Sequence, residues 1–448
     1  MKELLSNAAE RAIRYLESLG ERRVFPSPEA RERLAKLEFD FPDGPTSPEQ
    51  VLATLDELGS PAAVASAGGR YFGFVTGGSL PATVAAGWLA SAWDQNMYVS
   101  VMSPVGAKLE EMALRWLVDA LVLPPGTGAG FVTGATMANF TALAAARHAL
   151  LMNQGWDVGA RGLYGAPEIK VVVGEEVHVS ALKALSMLGL GRERVVRVPV
   201  DDQGRMRAGA LPELDEMSIV CIQAGNVNTG AFDPAAEVCS AAHRAGAWVH
   251  VDGAFGLWAL ADPTRAYLTA GITDADSWGA DAHKWLNVPY DSGLAFVRQP
   301  EHLRAAMSVS AAYVQQSDQR EPGHYTPELS RRARGIEVWA ALYSLGRSGL
   351  ADLVQRTCRL AVRFADGLNG MGFSVLNDVV LNQVLVSFGD AERTNHMIVA
   401  LQEESTFWAG GTVWQGQTAM RISVSSWATT EADIDRSLEA VQRVAARI

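Results

Sequence analysis

Four short stretches carry residues whose types and spacing could do amine chemistry. Lys284 stands in DSWGADAHKWLNVPYDSG (276–293), directly after His283 and before Trp285, among small residues. An apolar setting there favours an uncharged amine, the form that adds to a carbonyl; a snorkelling surface lysine is the common alternative. Asp252 closes the apolar run of VHVDGAFG (249–256), with Gly253 and Ala254 directly behind it. A carboxylate at a strand end is partly desolvated and needs a cationic or hydrogen-bonding partner, although such an aspartate is often only a turn former.

In VTGATMANFTALAAAR (132–147) a strand passes through Gly134 and Ala135 into a helix beginning near Thr136. Small residues and the free N–H groups of a helix start suit an anion such as a phosphate. No Lys or Arg occurs between Arg115 and Arg147, so backbone groups would supply the local positive potential. A plain strand-to-helix turn is the alternative. His178, in EEVHVSALKALSMLGLG, precedes another helix and could lie over a planar ring, or simply pack with a hydrogen bond.

These four stretches fit one cofactor. Pyridoxal 5′-phosphate needs an anion cradle, a carboxylate opposite its pyridine nitrogen, a lysine for its aldehyde and a group packed on the ring. Opposite charges about 3 Å apart attract by roughly 5 kcal/mol at an effective dielectric of about 20, before desolvation. Asp252 would in this way keep the ring nitrogen protonated.

Elements able to place such residues together alternate from about residue 125. Strands are expected at GAGFVTG, IKVVVG, RVVRVPV, SIVCIQAG, AWVHVDG, SWGADA and GLAFVRQ. Helices are expected from Thr136 to about Met152, at SALKALSMLGLG, near GALPELDEM, and at DPAAEVCSAAHRAG with Asp233 as cap and Pro234 at the first position. Apolar strands alternating with helices predict a mostly parallel sheet covered on both faces, where ligands sit beyond the carboxyl ends of the strands. After about 345 the pattern changes to a helix (350–368), the short strands FSVL, QVLVSF and AMRISVSS, and a helix from near Thr430. The expected organisation is a helical segment over 1–70, a large α/β domain over 71–345 and a small α+β domain over 346–448.

Composition narrows the class. The chain has 448 residues, 48% hydrophobic and 20% charged, with a net charge of −12 and no long basic run, which disfavours nucleic acid. Three scattered cysteines with no metal-ligand spacing suit a reducing cytoplasm. The apolar stretch LPATVAAGWLASAW (80–93) is too short to span a bilayer and reads as a buried helix.

With these motifs in place the sequence resembles the group II pyridoxal-phosphate-dependent decarboxylases, the family of aromatic-L-amino-acid and glutamate decarboxylases. DAHKWLNVPYD is the most specific part, HVDGAFG reinforces it, and the likeness runs from GGRYFGFVTGGSLPATVAAGWLASAWDQNMYVSVMSP to TAMRISVSSWATTEADID. The resemblance implies an α/β, PLP-dependent transferase fold of type I (aspartate aminotransferase-like), and a homodimer with its site at the subunit interface. It implies that Lys284 carries the cofactor covalently with His283 beside it, and that His178 stacks on the ring. Ala135 and Thr136 would bind the phosphate, helped by Ser277 and Asp281, although Asp281 departs from a frequent family asparagine. Asn226 and Ala254 would lie near the cofactor, Arg421 would meet the substrate α-carboxylate, and Phe74, Trp93 and Tyr98 would line the substrate pocket. A tyrosine from the polar stretch SDQREPGHYTP or its surroundings would return a proton to Cα; Tyr325 is the candidate and Tyr313 the alternative. That stretch has little to bury and should be mobile. The implied reaction converts an L-amino acid to its amine and CO2, and the aromatic lining suits an aromatic substrate. An aldehyde-forming synthase, a carbon–carbon lyase, an aminotransferase or a non-catalytic relative are the other outcomes the same core would allow.

Overall fold

The run Trp248–Asp252 shows why the central sheet forms. All five of its residues are buried, with Val249 and Val251 on one face and Trp248, His250 and Asp252 on the other. The computed structural model describes residues 1–308 and 320–448. Seven strands make this sheet: β1 (Gly128–Val132), β2 (Lys170–Gly174), β3 (Val196–Val198), β4 (Ser218–Gln223), β5 (Trp248–Asp252), β6 (Ser277–Asp281) and β7 (Gly293–Val297). Their order is β1-β7-β6-β5-β4-β2-β3. Strands β3, β2, β4, β5 and β6 run parallel, whereas β7 is antiparallel to both of its neighbours. The start of β7 therefore meets the ends of β1 and β6, with Gly293 opposite both Val132 and Asp281.

The sheet belongs to one compact unit, residues 79–361 and 377–383. Its interior holds three fully buried tryptophans, each with its indole N–H satisfied. Trp258 donates to Asp281 O (3.0 Å), Trp278 to Ile272 O (2.7 Å) and Trp285 to Thr357 Oγ1 (2.9 Å). In the same unit Glu110 is wholly buried between Arg331 and Arg320, at 2.9 and 2.8 Å. Burial pushes the Glu110 carboxyl up, but the two guanidinium groups hold it below the usual carboxylate range.

The second unit comprises residues 1–78, 362–376 and 384–448. Strands β8 (Ser374–Val375), β9 (Gln383–Ser387), β10 (Gly410–Trp414) and β11 (Gln417–Ser423) form a sheet in the order β10-β11-β9-β8. Arg70, itself buried, ties the N-terminal segment down by donating to Gly20 O (2.7 Å), Arg22 O and Thr406 O. The first helix, Lys2–Ser18, buries none of its residues. The last helix, Glu431–Ala445, starts at a reciprocal cap between Thr430 and Asp433.

Several local expectations change. No helix forms near 209–217; a single 3-10 turn, Ala208–Ala210, stops before Pro212. Asp233 does not cap its helix, because its carboxylate accepts from the backbone of Met206 and Gln223, both at 2.7 Å. β10 was hidden by its paired glycines. The helix Pro81–Trp93 is not buried in the single chain: Trp88, Leu89 and Trp93 are 46%, 54% and 42% exposed. Among the described residues no helix is long and apolar enough to cross a membrane.

Candidate active site

The antiparallel placement of β7 brings three chain segments to one edge of the sheet. Gly293 packs so closely on Gly134 that a Cβ would lie 2.5 Å from the Gly134 backbone. Only glycine permits that approach. Asp281, at the end of β6, reaches across this junction. Its Oδ1 accepts from the backbone N–H of Ala135 (2.5 Å), at the start of the helix Ala135–Asn153, and its Oδ2 pairs with Lys284 Nζ (2.8 Å). Ala135 and Lys284 are thus joined through one buried carboxylate. Lys284 is mostly buried, but a carboxylate rather than an apolar wall faces its amine.

The turn bearing Lys284 is fixed from both sides. Trp285 is anchored in the core through Thr357, which gives the HKW triplet a structural reason. His283 accepts from the Ser292 N–H at Nδ1 (3.1 Å), so its neutral form carries the proton on Nε2, 3.5 Å from Asp281 Oδ1. Burial, with Lys284 beside it, holds His283 below the ordinary imidazole range. The ring of Tyr290, itself 59% exposed, lies 4.3 Å from that of His283.

Asp252 ends the neighbouring strand β5. Asn139 Nδ2 donates to its Oδ2 (3.0 Å) and Ala254 N–H to its Oδ1 (3.3 Å), while Ser180 Oγ lies 3.5 Å from Oδ2. Ala254 also accepts from Asp281 N–H (2.8 Å), linking the two strand ends. His178 precedes the helix Val179–Met187 and accepts from Ser180 N–H at Nδ1 (3.2 Å). Ser180 therefore touches both His178 and Asp252. Asn226 follows β4, fully buried, its Oδ1 accepting from the Asn228 and Thr229 N–H groups. Its Nδ2 has no hydrogen-bond partner among the described residues.

An anion-ready helix start, a lysine and an aspartate at adjacent strand ends, and a buried donor without an acceptor make a site that asks for a bound group. Residues 29–389 match the model of the pyridoxal-dependent decarboxylase conserved domain. The chain belongs to that family. It is 26% identical over 374 residues to an aromatic-L-amino-acid decarboxylase of Bacillus atrophaeus, covering 81% of this chain and 76% of that protein. It is 29% identical over 327 residues to the acidic amino acid decarboxylase GADL1 of Mus musculus, covering 68% of this chain and 58%, under two thirds, of the relative's length. Among solved structures, Oryza sativa TDC with PLP and tryptamine matches with a TM-score of 0.90 at 21% identity, covering 100% of this chain and 97% of that one. Mouse CSAD matches with a TM-score of 0.90 at 22% identity, covering 99% and 98%. The fold is therefore that of the type I pyridoxal-phosphate enzymes, and membership of the decarboxylase family makes the chain a carboxy-lyase that uses pyridoxal 5′-phosphate.

The residues present fit this cofactor. The orphaned Asn226 Nδ2 offers a donor, the helix start offers the Thr136 N–H beyond the Ala135 N–H that Asp281 already holds, and Asp252 has both oxygens held by donors alone. Lys284, Asp281, Ala135 and His283 are brought together, as are Asp252, Ala254 and His178 through Ser180.

Among the other candidates, Ser277 is corrected. Ser277 begins β6, at the opposite end of the strand from Asp281, and its hydroxyl is engaged by Trp248 and His250 (both 2.9 Å). It takes no part in a phosphate cradle. Tyr325 packs against a core cluster that includes Leu303 and Met307, under the Arg320 guanidinium at 4.4 Å. The described end of the expected mobile stretch is anchored: Arg320 binds Glu110, and the buried Glu321 accepts from Ser100 N–H and Oγ. Tyr313 lies outside the described residues. Tyr98 is buried under Gly323. Phe74 and Arg421 belong to the other unit, where Phe74 stacks on Trp408 (5.4 Å) and Arg421 is a half-buried strand residue of β11. Burial lowers the Arg421 guanidinium below its ordinary range, and no ion-pair partner faces it among the described residues. Asn139, Ser180, His250 and Tyr290 were missed. The one available signal for His250 was its spacing of two from Asp252, which puts both on one face of a strand.

Proposed function

We propose that this enzyme removes the α-carboxylate of an aromatic L-amino acid as CO2 and releases the corresponding amine. The observation that carries the reading is the bridge from Ala135 through Asp281 to Lys284, next to the strand end that holds Asp252. Lys284 would hold the cofactor through its amine, the helix start its phosphate, and Asp252 its ring nitrogen. Asn226 Nδ2 would donate to a polar edge of the cofactor, and His178 would pack on its face. Pyridoxal 5′-phosphate, when bound, supplies an electron-accepting ring for the pair released as the Cα–carboxylate bond breaks.

The remaining work falls to side chains of this chain. Asp281 keeps Lys284 Nζ oriented and supplies a counter-charge for its proton. His283 Nε2 carries a transferable proton at the edge of the site. Tyr290, exposed and with its ring tilted against that of His283 six residues after Lys284, supports an aromatic side chain.

The apolar surface left open on one chain supports a homodimer. Trp88 and Leu89 of the helix Pro81–Trp93, with Val101 at 81% exposure, favour burial against a second copy, as does a first helix that buries nothing. The three free, buried cysteines suit a reducing compartment such as the cytoplasm. A panel of amino acids assayed for CO2, amine, ammonia and aldehyde tests the reading. Amine and CO2 in equal amounts from tryptophan, tyrosine or phenylalanine support it; amine from aspartate or glutamate alone, or aldehyde with ammonia, overturns it.

A further inference from the structure

Asp252 is held by more than its own strand. We propose that Asn139 and His250 are positioning residues that, with Ser277 and Trp248, form a one-directional hydrogen-bond chain fixing Asp252 Oδ2 for its partner in the cofactor ring. The inference rests on the assignment of Asp252 made under Proposed function.

The direction follows from the two ends. Trp248 Nε1 can only donate, and it reaches Ser277 Oγ at 2.9 Å. The Asp252 carboxylate can only accept, and Asn139 Nδ2 reaches it at 3.0 Å. The Asn139 oxygen therefore faces His250 Nε2 (3.1 Å) and must receive its proton. A neutral imidazole with its proton on Nε2 accepts at Nδ1, where Ser277 Oγ stands at 2.9 Å with one O–H to give. Every donor in the series has one acceptor. A protonated His250 would break the pattern, since Ser277 would then face two donors and its own hydroxyl would lose its acceptor. Burial in addition holds His250 down at about 4 against the raising effect of Asp252.

Local structure builds the chain into the fold. His250 and Asp252 alternate with valines on β5, and Ser277 is directly opposite His250 on β6. Asn139 descends onto this face from the helix whose first turn forms the anion cradle. It fits because residue 279 is glycine: a Cβ there would lie 2.5 Å from Asn139 Oδ1. Asn139, His250 and Ser277 are all fully buried. One helix thus contributes to both ends of the cofactor, its N-terminus to the phosphate and its second turn to the carboxylate at the ring nitrogen.

The test uses the full-length protein stripped of cofactor and titrated with pyridoxal 5′-phosphate. Asn139→Leu is expected to weaken cofactor binding by roughly tenfold or more, the usual effect of deleting a hydrogen bond to a charged group. It should also move the pH midpoint of the bound cofactor's absorption by about one unit, a change that loosened packing alone would not produce. His250→Gln, whose amide can both donate and accept, should retain most of the affinity that His250→Phe loses. 15N spectra of wild-type histidines should show, besides His283, a neutral residue with its proton on Nε2, assigned to His250 by its loss in His250→Gln, unchanged from pH 8 to pH 5. A protonated or Nδ1–H His250 in that range, or a folded Asn139→Leu with wild-type affinity and midpoint, overturns the proposal. Asp252→Asn separates the two levels. If it alters affinity and spectrum while Asn139→Leu does not, the chain fails and the assignment of Asp252 stands; if it alters neither, both fall.

Discussion

Asp281 Oδ2 lies 2.8 Å from Lys284 Nζ, while the other oxygen of the same carboxylate holds the first N–H of the cradle helix. The lysine and the anion site are therefore coupled through a negative charge that sits where a phosphate would be drawn.

Asp281→Asn should expose this coupling. An amide oxygen can keep the bond to Ala135 N–H but carries no charge to repel a phosphate. Titration of the cofactor-free protein should show pyridoxal 5′-phosphate binding roughly fivefold tighter, a gain of about 1 kcal/mol from removing a nearby like charge. Weaker binding would mean that Asp281 acts chiefly by orienting Lys284.

Glu110→Ala should be strongly destabilising. It leaves Arg331, nearly fully buried, and Arg320 without their shared carboxylate. Loss of about 3–5 kcal/mol in denaturant unfolding is expected for a broken buried ion pair. A loss under about 1 kcal/mol would show that water reaches the cluster.

The pH dependence of stability should carry a His250 contribution. Burial keeps the folded-state imidazole at about 4, whereas the unfolded chain titrates near its ordinary 6.5. Above that ordinary value both states are neutral and the contribution is flat. As pH falls below it, the unfolded chain takes up a proton that the fold refuses, so stability drops until the folded value is reached. The full difference is roughly 3 kcal/mol. His250→Gln should lack this fall, read as the difference between the two proteins at each pH. Identical slopes would contradict the burial argument.

Tyr325 should behave as a packing residue. Tyr325→Phe keeps the ring under Arg320 and should leave kcat within about threefold, whereas Tyr325→Ala should cost roughly 3 kcal/mol of stability. A large fall in kcat for Tyr325→Phe with unchanged stability would restore it as the proton donor.

What the sequence made legible follows physical range. Apolar runs such as VCI and VHV mark buried strands because their burial is local to the strand, and the helix over 135–153 was found to within a residue. The grouping of Lys284, Asp252 and a helix start could be read because all lie at strand ends, whereas the Asp281 carboxylate facing the Lys284 amine could not, since an apolar setting was expected there. Ser277 was misplaced because closeness in sequence to Lys284 does not say which end of a strand a residue occupies. Asn139 was invisible as a partner of Asp252, 113 residues away, since nothing local distinguishes it from a polar residue on an open helix face. The helix Pro81–Trp93 was read as buried from its apolar composition, which does not say whether its own chain or another copy covers it.

The most direct measurement is borohydride reduction of the purified yellow protein, followed by peptide mass spectrometry, beside a Lys284→Ala variant. The account predicts a reduced pyridoxyl group on Lys284 alone, and a variant that loses both the chromophore and amine formation. A label on another lysine, or a Lys284→Ala protein that keeps its colour and its turnover, would contradict it.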